Sequence, residues 1–453
     1  MNRTTPLPRM LEGALASGPK TAAELQALLG VSQPTISRAI QASAGGVAVL
    51  GAGRATRYAL YAPIEAVGPV LPVYQVDEAG RISQVGDLHV LHDDRFWWAR
   101  QDEKKGELFD GIPWFLGDMR PQGFLGRSFP LQHADLGLPP RIVDWQARHA
   151  ICAMARRGED LPGNRVIGKE SFARLLELAL KPRVPVPVDG RPLRYEELAD
   201  KAMSGTDAGS SAGGEQPKFA VSVKDNRKIR HVIVKFSPAE ASGVGRRWRD
   251  LLIAEHHALR TLSDHHIVAA DSELVHGRQR SFLEVVRFDR IGLTGRSGVI
   301  SIGSADAEFH GRHRDWIDTA RALISHGVLD AEDAARIERI HAFGRLILNT
   351  DMHMGNLSLH ETHGRLKLAP VYDMLPMGYA PRQGETPALA YALPPVHPDA
   401  PLAHVEMLPV AGQFWQRIAE DPAVSAELQA VARSASHQIS EAVERAPRVV
   451  SVR

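Results

Sequence analysis

The sequence feature that most constrains the fold is a small set of polar residues placed in apolar segments of the C-terminal half. Lys235 ends the β-branched run HVIVK, and Asp373 follows the apolar run LKLAPVY. Asp351 and Asn356 stand five positions apart in the segment GRLILNTDMHMGNLSL. Short apolar runs rich in β-branched residues are typical of strands. We therefore predict that Lys235 lies at the end of a strand, that Asp373 follows a strand, and that Asp351 and Asn356 share a loop.

Composition indicates a globular protein of several domains. The 453 residues predict two to four domains, and 54 Lys and Arg against 53 Asp and Glu give a net charge of +1. The single cysteine, Cys152, excludes an intramolecular disulfide framework and a cysteine-based zinc site. No run of about 18 apolar residues occurs, and the N-terminal segment lacks the apolar region of a signal peptide. We therefore expect a cytoplasmic protein that makes no contact with a membrane.

Residues 1–62 carry a local charge of +4, because they contain six Lys and Arg residues and two Glu residues. Thr21 and Glu24 have the spacing of a capping box before AAELQALLG, and Gly30 is placed to end that helix. Ser32 is placed to cap a second helix, QPTISRAI. Two helices joined by a short turn, followed by the hairpin-like VAVLGAGRATRYALY, predict a winged helix-turn-helix domain.

The second helix of this pair has side chains suited to the major groove of DNA. A helix in that groove reaches base edges and phosphates with short polar side chains and arginine. The candidate DNA-binding residues on this helix and at the hairpin are Gln33, Thr35, Ser37, Arg38, Arg54 and Arg57. A small helical module that binds another protein is the alternative interpretation of residues 1–62.

The polar residues of the C-terminal half occur in the order of a phosphoryl-transfer site. A strand lysine that holds ATP phosphates is positioned by a helix glutamate, and Glu255 follows Lys235 by 20 residues. Asp351 and Asn356 have the D-x-x-x-x-N interval of a base and a metal ligand, and Asp373 would complete a Mg²⁺ site. Each feature has a simpler explanation when it is taken alone. Lys235 could be a lysine on an edge strand, Glu255 could lie on a solvated helix face, and Asp351 and Asn356 could form an ordinary turn. Their common order favours a kinase.

Two further segments are compatible with a bound nucleotide. Residues 204–219 are rich in Gly and Ser, and such a loop brings backbone N–H groups close to phosphate oxygens. Residues 281–290, SFLEVVRFDR, predict a strand that ends in a hinge, where backbone groups would face an adenine edge. A buried strand without a ligand has the same pattern.

Three histidines near the Asp351 segment give a rival interpretation. His353, His360 and His363 could hold a transition metal. Because the chain has 20 histidines, their proximity in sequence is expected by chance, and this interpretation is not favoured.

The segments GGEQPKF, VIVKF, VVRFDR, NTDMHMGNLSL and PVYDMLP resemble the HipA family of bacterial serine/threonine kinases, the toxins of type II toxin–antitoxin systems. The resemblance covers residues 73–440. It implies an α+β, multi-domain chain with a bilobal, protein-kinase-like fold, a mostly helical C-terminal lobe, and ATP and Mg²⁺ as cofactors. It places the catalytic base on Asp351 and the metal ligands on Asn356 and Asp373. The ATP-binding positions that it implies are Ser211, Gly213, Gly214, Gln216, Lys218, Lys235, Glu255, Val286, Phe288, Asp289 and His353.

The resemblance also implies a regulatory serine. In the family, a serine just before a Gly-x-Gln motif is autophosphorylated, which ejects the loop and switches the kinase off. Counting back from Gly214, Glu215 and Gln216 gives Ser211, and the adjoining Ser210 stays open as an alternative. A phosphate with a charge of about −1.5 to −2 in that loop would repel the phosphates of ATP.

The N-terminal pattern and the resemblance together divide the chain into four segments. These are a winged helix-turn-helix domain (1–62), a β-rich N-terminal subdomain (73–150), a kinase N-lobe with the ATP-cradling loop (151–285) and a helical C-lobe with the catalytic loop (286–453). The usual HipA toxin has no DNA-binding domain of its own, because a separate antitoxin carries it. The fused arrangement resembles the YjjJ-type subgroup and leaves open whether this chain needs a separate antitoxin.

The sequence therefore predicts an autophosphorylating protein serine/threonine kinase whose fused DNA-binding domain regulates its own transcription. Family members act on aminoacyl-tRNA synthetases or other proteins of translation, so a protein substrate of that kind is expected, although no residue identifies which. The alternative is a DNA-binding regulator whose kinase-like domain senses nucleotide without phosphorylating a protein. Phosphorylation of a small molecule is a third possibility.

Overall fold

The structure, a computed structural model, divides the chain into two units. The residues that it describes are 7–43, 45–53, 56–103, 105–204, 216–226, 228–362, 364–382, 384–388 and 390–445. The first unit combines Met1–Pro121 with His133–Pro182, and the second combines Gln122–Gln132 with Arg183–Arg453. The sequence predicts four segments, which divide the chain into smaller parts than these two units do, and that division stays a prediction. Residues 151–182, which they assign to a kinase N-lobe, fall in the first unit.

The first unit begins with three short helices and a three-stranded antiparallel sheet in the order β1-β3-β2. The elements are α1 (Leu7–Leu15), β1 (Lys20–Thr21), α2 (Ala22–Leu29), α3 (Gln33–Ala42), β2 (Val47–Leu50) and β3 (Arg57–Leu60). The predicted capping box is confirmed: the Glu24 N–H donates to Thr21 Oγ1 at 3.3 Å, and the Thr21 N–H donates to the Glu24 carboxylate at 2.7 Å. Gly30, at φ 64°, ends α2 in the left-handed region where glycine is unstrained.

A five-stranded antiparallel sheet in the order β7-β6-β5-β4-β8 completes this unit. The strands are β4 (Val70–Val76), β5 (Ile82–Val90), β6 (Arg95–Arg100), β7 (Glu107–Asp110) and β8 (Arg165–Ile167). The helices of this stretch are α4 (Gly123–Gln132), counted with the second unit, α5 (Ala147–Arg157) and α6 (Lys169–Leu180). The Ala62 N–H donates to Val90 O and the His92 N–H to Leu60 O, so the N-terminal segment is hydrogen-bonded to the end of this sheet.

The second unit is built around a sheet of order β12-β13-β11-β10-β9, in which only the β9–β10 pair is parallel. Its elements are β9 (Val186–Pro187), α7 (Arg191–Ser204), β10 (Lys218–Asp225), β11 (Lys228–Phe236), α8 (Gly243–Asp264), β12 (Ser272–His276) and β13 (Ser281–Val286). The aromatic rings of Tyr195, Phe219, Phe236 and Phe282 pack together in its core. Lys235 lies on β11, as the sequence predicts.

The remainder of the second unit is mostly helical. Its strands are β14 (Arg290–Ile291), β15 (Gly295–Arg296), β16 (Val299–Ser301), β17 (Ser358–Thr362) and β18 (Arg365–Leu368). Its helices are α9 (Ile302–Phe309), α10 (Trp316–Ser325), α11 (Ala331–Leu346), α12 (Pro401–Glu420) and α13 (Ala426–Arg445). Phe343, Phe414 and Trp415 are fully buried between α11 and α12. The predicted mixture of helices and sheets is confirmed.

Among the described residues, the helices are all too short or too polar to cross a membrane.

A buried polar network attaches α7 to the sheet of the second unit. Glu284, 1% exposed on β13, accepts hydrogen bonds from Arg191 Nη1 at 2.9 Å and from Tyr195 Oη at 2.6 Å. Arg191 Nη2 also donates to Glu273 at 2.8 Å, and this hydrogen bond raises the pKa of Arg191 above its ordinary value. Burial, together with the bond to Glu284, raises the pKa of Tyr195. Glu284 is therefore a buried carboxylate whose negative charge is compensated by its hydrogen-bond partners.

We expect Arg191→Met to lower the free energy of unfolding by about 3 kcal/mol, because the buried Glu284 loses its closer cationic partner and keeps only Arg230, which lies 3.7 Å from its other carboxylate oxygen. Urea unfolding measures this change. Arg194→Met on the same helix is the matched control, since Arg194 and its partner Glu197 are each 53% exposed. Such a pair contributes about 0–1 kcal/mol. Equal losses in the two variants would show that burial of the network is unimportant.

Candidate active site

The centre of the candidate site is the ammonium group of Lys235. Lys235 Nζ donates to both carboxylate oxygens of Glu255, at 2.6 and 2.7 Å, and also to Asp373 Oδ1. Lys235 is 3% exposed and Glu255 is fully buried. Three elements thus meet at one cation: β11, α8 and the segment that follows β18.

The sequence directs Glu255 inward because α8 is buried along most of its length. Ser242 caps this helix, with its Oγ accepting a hydrogen bond from the Gly245 N–H at 2.9 Å. Leu252, one turn before Glu255, packs with Leu283 on β13. A glutamate on this face can enter the interior only because Lys235 compensates its charge.

The electrostatics of the site favour the charged forms of Lys235 and Asp373. Burial by itself lowers the pKa of Lys235, but the carboxylates of Asp373 and Glu255 raise it above its ordinary value. Burial raises the pKa of Glu255 despite the attraction of Lys235. Burial would also raise the pKa of Asp373, yet Lys235 and Lys218 hold it below its ordinary value. The site therefore offers a protonated lysine beside an ionised aspartate.

Asn349 connects the two loops that carry the candidate catalytic residues. Its Nδ2 donates to Asp373 O at 3.2 Å, and its Oδ1 accepts from the Asp351 N–H at 3.0 Å. Asp373 itself has φ +51°, a left-handed conformation that aspartate tolerates better than most residues. Sequence reasoning missed Asn349; its position two residues before Asp351, where an Asx-type bond forms, was the available signal.

The loop from Asp351 to Asn356 is closed by its own polar groups. Asn356 Nδ2 donates to Asp351 O at 2.7 Å, and the Asn356 N–H donates to His353 O at 3.0 Å. Trp316 Nε1, on α10, also donates to His353 O, at 3.0 Å. Asp351 is exposed. The arrangement leaves its carboxylate accessible to a ligand.

Lys218 and Gln216 place further polar groups near Lys235. Lys218 lies opposite Lys235 in the β10–β11 pairing, so the two side chains share one face of the sheet. Gln216 is 8% exposed, and within the described part of the chain its Nε2 has no hydrogen-bond partner. The predicted loop residues Ser210, Ser211, Gly213 and Gly214 lie outside the described residues.

The predicted hinge residues make contacts within the protein. The Val286 N–H donates to Asp271 O at 2.8 Å, and the ring of Phe288 lies 5.7 Å from that of Tyr372. Asp289, predicted near the ribose, is 7% exposed and pairs with Arg287 at 2.9 Å and Arg290 at 2.7 Å. Adenine and ribose contacts at this hinge stay a prediction.

Asp373 and Asn356 carry oxygen donors of the kind that a magnesium ion binds. Because Asn356 uses its Nδ2 internally, its amide oxygen is left as a ligand, and Asp373 keeps its second carboxylate oxygen. Mg²⁺ is commonly bound by one or two carboxylates plus substrate phosphates. Gln216 Nε2, Lys218 and Lys235 are suited to those phosphates.

The histidine interpretation finds no support in the described residues, where no three His, Cys, Asp or Glu side chains form a group able to hold a metal ion. His353 Nδ1 accepts the Gly355 N–H at 3.0 Å, and His360 Nδ1 lies 3.1 Å from Ser297 Oγ. His363 is outside the described residues.

The candidate DNA-binding residues of the first unit lie on α3 and β3. Gln33, Ser37 and Arg38 are exposed on α3, and Thr35 beside them is half-buried. Arg38 Nη2 donates to Thr35 Oγ1 at 3.4 Å, so the arginine lies along the helix surface. Arg57 on β3 is also exposed, whereas Arg54 falls outside the described residues.

Comparison with solved structures places this chain near a HipA toxin. A chain of the Shewanella oneidensis MR-1 toxin–antitoxin system HipA, HipB and its operator DNA complex aligns with 83% of this chain and 97% of its own length. The TM-score is 0.52 at 16% identity, which supports a common fold. The Helicobacter pylori proinflammatory kinase CtkA aligns with 51% of this chain at a TM-score of 0.36, too low to support a common fold.

Sequence comparison gives the family. The family model for the YjjJ-like toxin, middle domain, matches residues 67–176, and that for the HipA-like C-terminal domain matches residues 210–449. Toxin YjjJ of Escherichia coli (strain K12) is 36% identical over 444 residues, which cover 97% of this chain and 99% of that protein. The chain therefore belongs to the HipA-like family and, within it, to the YjjJ-like toxins.

Proposed function

We propose that this protein is an ATP- and Mg²⁺-dependent serine/threonine protein kinase. The observation that carries the proposal is the buried Lys235, held between Glu255 and Asp373 beside the Asp351–Asn356 loop. ATP with Mg²⁺ would supply the phosphoryl group and neutralise its charge. Lys235 would hold phosphate oxygens, and Glu255 would keep the ammonium in position.

Asp351 has the role of base in this proposal. Its exposed carboxylate would accept the proton of a serine or threonine hydroxyl during transfer. Asn356 keeps the loop closed through its bond to Asp351 O, and its amide oxygen would be a ligand for the metal. Most of the rate acceleration would come from positioning and charge neutralisation.

We also propose regulation by autophosphorylation and by DNA. A phosphate on Ser211, or on the adjoining Ser210, would repel nucleotide phosphates from the loop before Gln216. Residues 1–62 would act as a winged helix-turn-helix domain, because α2 and α3 are joined by a short turn and followed by the β2–β3 hairpin. The HipA relative was solved with HipB and operator DNA, which supports DNA and antitoxin partners here. The substrate would be a cytoplasmic protein, such as an aminoacyl-tRNA synthetase or another component of translation.

The first test replaces the proposed base. Asp351→Asn keeps the shape of the side chain but removes the proton acceptor, and we expect transfer of labelled phosphate from ATP to fall by about 100-fold or more. Asp225→Asn, at the exposed β10–β11 turn, is the matched control and should keep full activity. Undiminished transfer in the Asp351 variant would overturn the assignment of the base. A wild-type protein that binds ATP without transfer would favour the nucleotide-sensing alternative.

The second test measures nucleotide binding through thermal stability. ATP with Mg²⁺ should raise the melting temperature of the wild type, since a ligand at 100 times its Kd stabilises by about 2.7 kcal/mol. Lys235→Met should lose this rise, because the phosphates lose their cation. Lys228→Met, exposed on the same strand, should keep it. The readout is the shift on adding nucleotide, so a lower starting melting temperature does not affect it. An unchanged shift in the Lys235 variant would count against the phosphate site.

The third test concerns DNA. Arg38→Ala should weaken binding to a labelled DNA duplex from the region upstream of the protein's own gene. It should also make the fall of log K with log salt concentration less steep by about 1. Fluorescence anisotropy over a salt series measures both quantities. Arg81→Ala, an exposed arginine outside residues 1–62, is the control. Absent or salt-insensitive binding by the wild type would instead favour the protein-interaction interpretation.

A further inference from the structure

A groove of about 510 Å³ opens beside the candidate base. Its walls include Asp351, Thr350, Arg345, His341 and His397. Among the described residues that line it, Asp351 is the only acidic one, and neither Lys235 nor Asp373 takes part. The groove therefore lies next to the proposed base, Asp351, and Lys235, the proposed phosphate-binding residue, does not line it.

Arg345 gives the groove a cation without a partner in the described chain. It lies in the last turn of α11 and is half-buried. No ion pair or hydrogen bond of its guanidinium group is found among the described residues. By contrast, Arg336 on the same helix pairs with Glu332 and Asp333. A guanidinium group presents a planar fork that matches a carboxylate.

His341, which lines the same wall, has a buried polar atom without a partner in the described residues. It is 8% exposed, and its Nδ1 has no hydrogen-bond partner in the described residues. The His397 ring lies 5.1 Å away and nearly perpendicular to it. Burial, and then the neighbouring His397, lower the pKa of His341 to about 4. At neutral pH His341 is therefore uncharged, and Arg345 supplies the positive charge of this wall.

The geometry points to this groove as the acceptor site for an acidic protein segment, in which Arg345 binds a carboxylate side chain close to the serine or threonine that faces Asp351. This inference rests on the proposed kinase function and specifies its substrate class. An unpaired guanidinium in the wall of the groove favours an anion over a neutral or basic side chain. The exposed Asp351 carboxylate would repel that anion, so the acidic side chain lies at the Arg345 end of the groove.

The test compares two short labelled peptides that contain one serine and differ only in having glutamate or glutamine on either side of it. Fluorescence anisotropy, with Mg²⁺ and a non-hydrolysable ATP analogue present, measures their binding to the full chain. We expect the glutamate peptide to bind the wild type about tenfold more tightly, since charge-assisted hydrogen bonds are worth about that much. Arg345→Gln should remove this preference. Arg339→Gln, on the same helix but outside the groove, should retain it.

Equal binding of the two peptides to the wild type would overturn the inference, whether or not the Arg345 variant folds. A preference that persists in Arg345→Gln would also overturn it. Phosphate transfer to the same peptides distinguishes the two proposals. Acidic preference in binding without transfer would support the groove and count against the kinase function. Transfer without acidic preference would support the kinase function and overturn the groove.

Discussion

The second unit depends on one buried cation shared by two carboxylates. Lys235 binds Glu255 on α8 and also Asp373, which is 138 positions away in sequence. A charge in the interior is tolerated only while it is paired, and removing one partner of such a pair strongly destabilises a protein. The sheet, the long helix and the segment after β18 must therefore converge on the same point. The interaction that orders these elements also brings a cation and an ionised carboxylate together, which is the pair that the proposed site for nucleotide phosphates and Mg²⁺ uses.

The loop that carries Asp351 is held in a different way. Its contacts are hydrogen bonds between neutral groups: Asn349 bonds to this loop and to the Asp373 segment, and Trp316 Nε1 donates to His353 O. Asp351 is left exposed at the end of this loop. A buried ionic centre beside an exposed carboxylate suits a reaction in which one substrate is held by charge and the other approaches from solvent. The groove at Arg345 extends that exposed side.

The parts of this arrangement that the sequence predicted are local in origin. The Thr21–Glu24 capping box depends on residues three apart, and the strand that carries Lys235 depends on a run of β-branched residues. The pairing of Lys235 with Glu255 followed from the order of motifs, because a strand and the next helix are adjacent along the chain. The neighbours of Asp289 were missed as partners, although Arg287 and Arg290 lie within two residues of it. A charged turn fits a ligand contact and an internal ion pair equally well.

By itself, the sequence determined α2 with its cap, α3, the strand that carries Lys235 and the order of the candidate catalytic residues, since each follows from spacing along one stretch of chain. Only the tertiary structure decided that Asp373 shares Lys235 with Glu255, that Asn349 joins two loops, and that Arg345 and His341 line a groove with Asp351. The division after Pro182 was also decided there, because β8 pairs with β4 across about 90 residues of sequence. These features depend on which distant side chains meet once the apolar segments are buried, and burial, unlike spacing, depends on the whole chain at once.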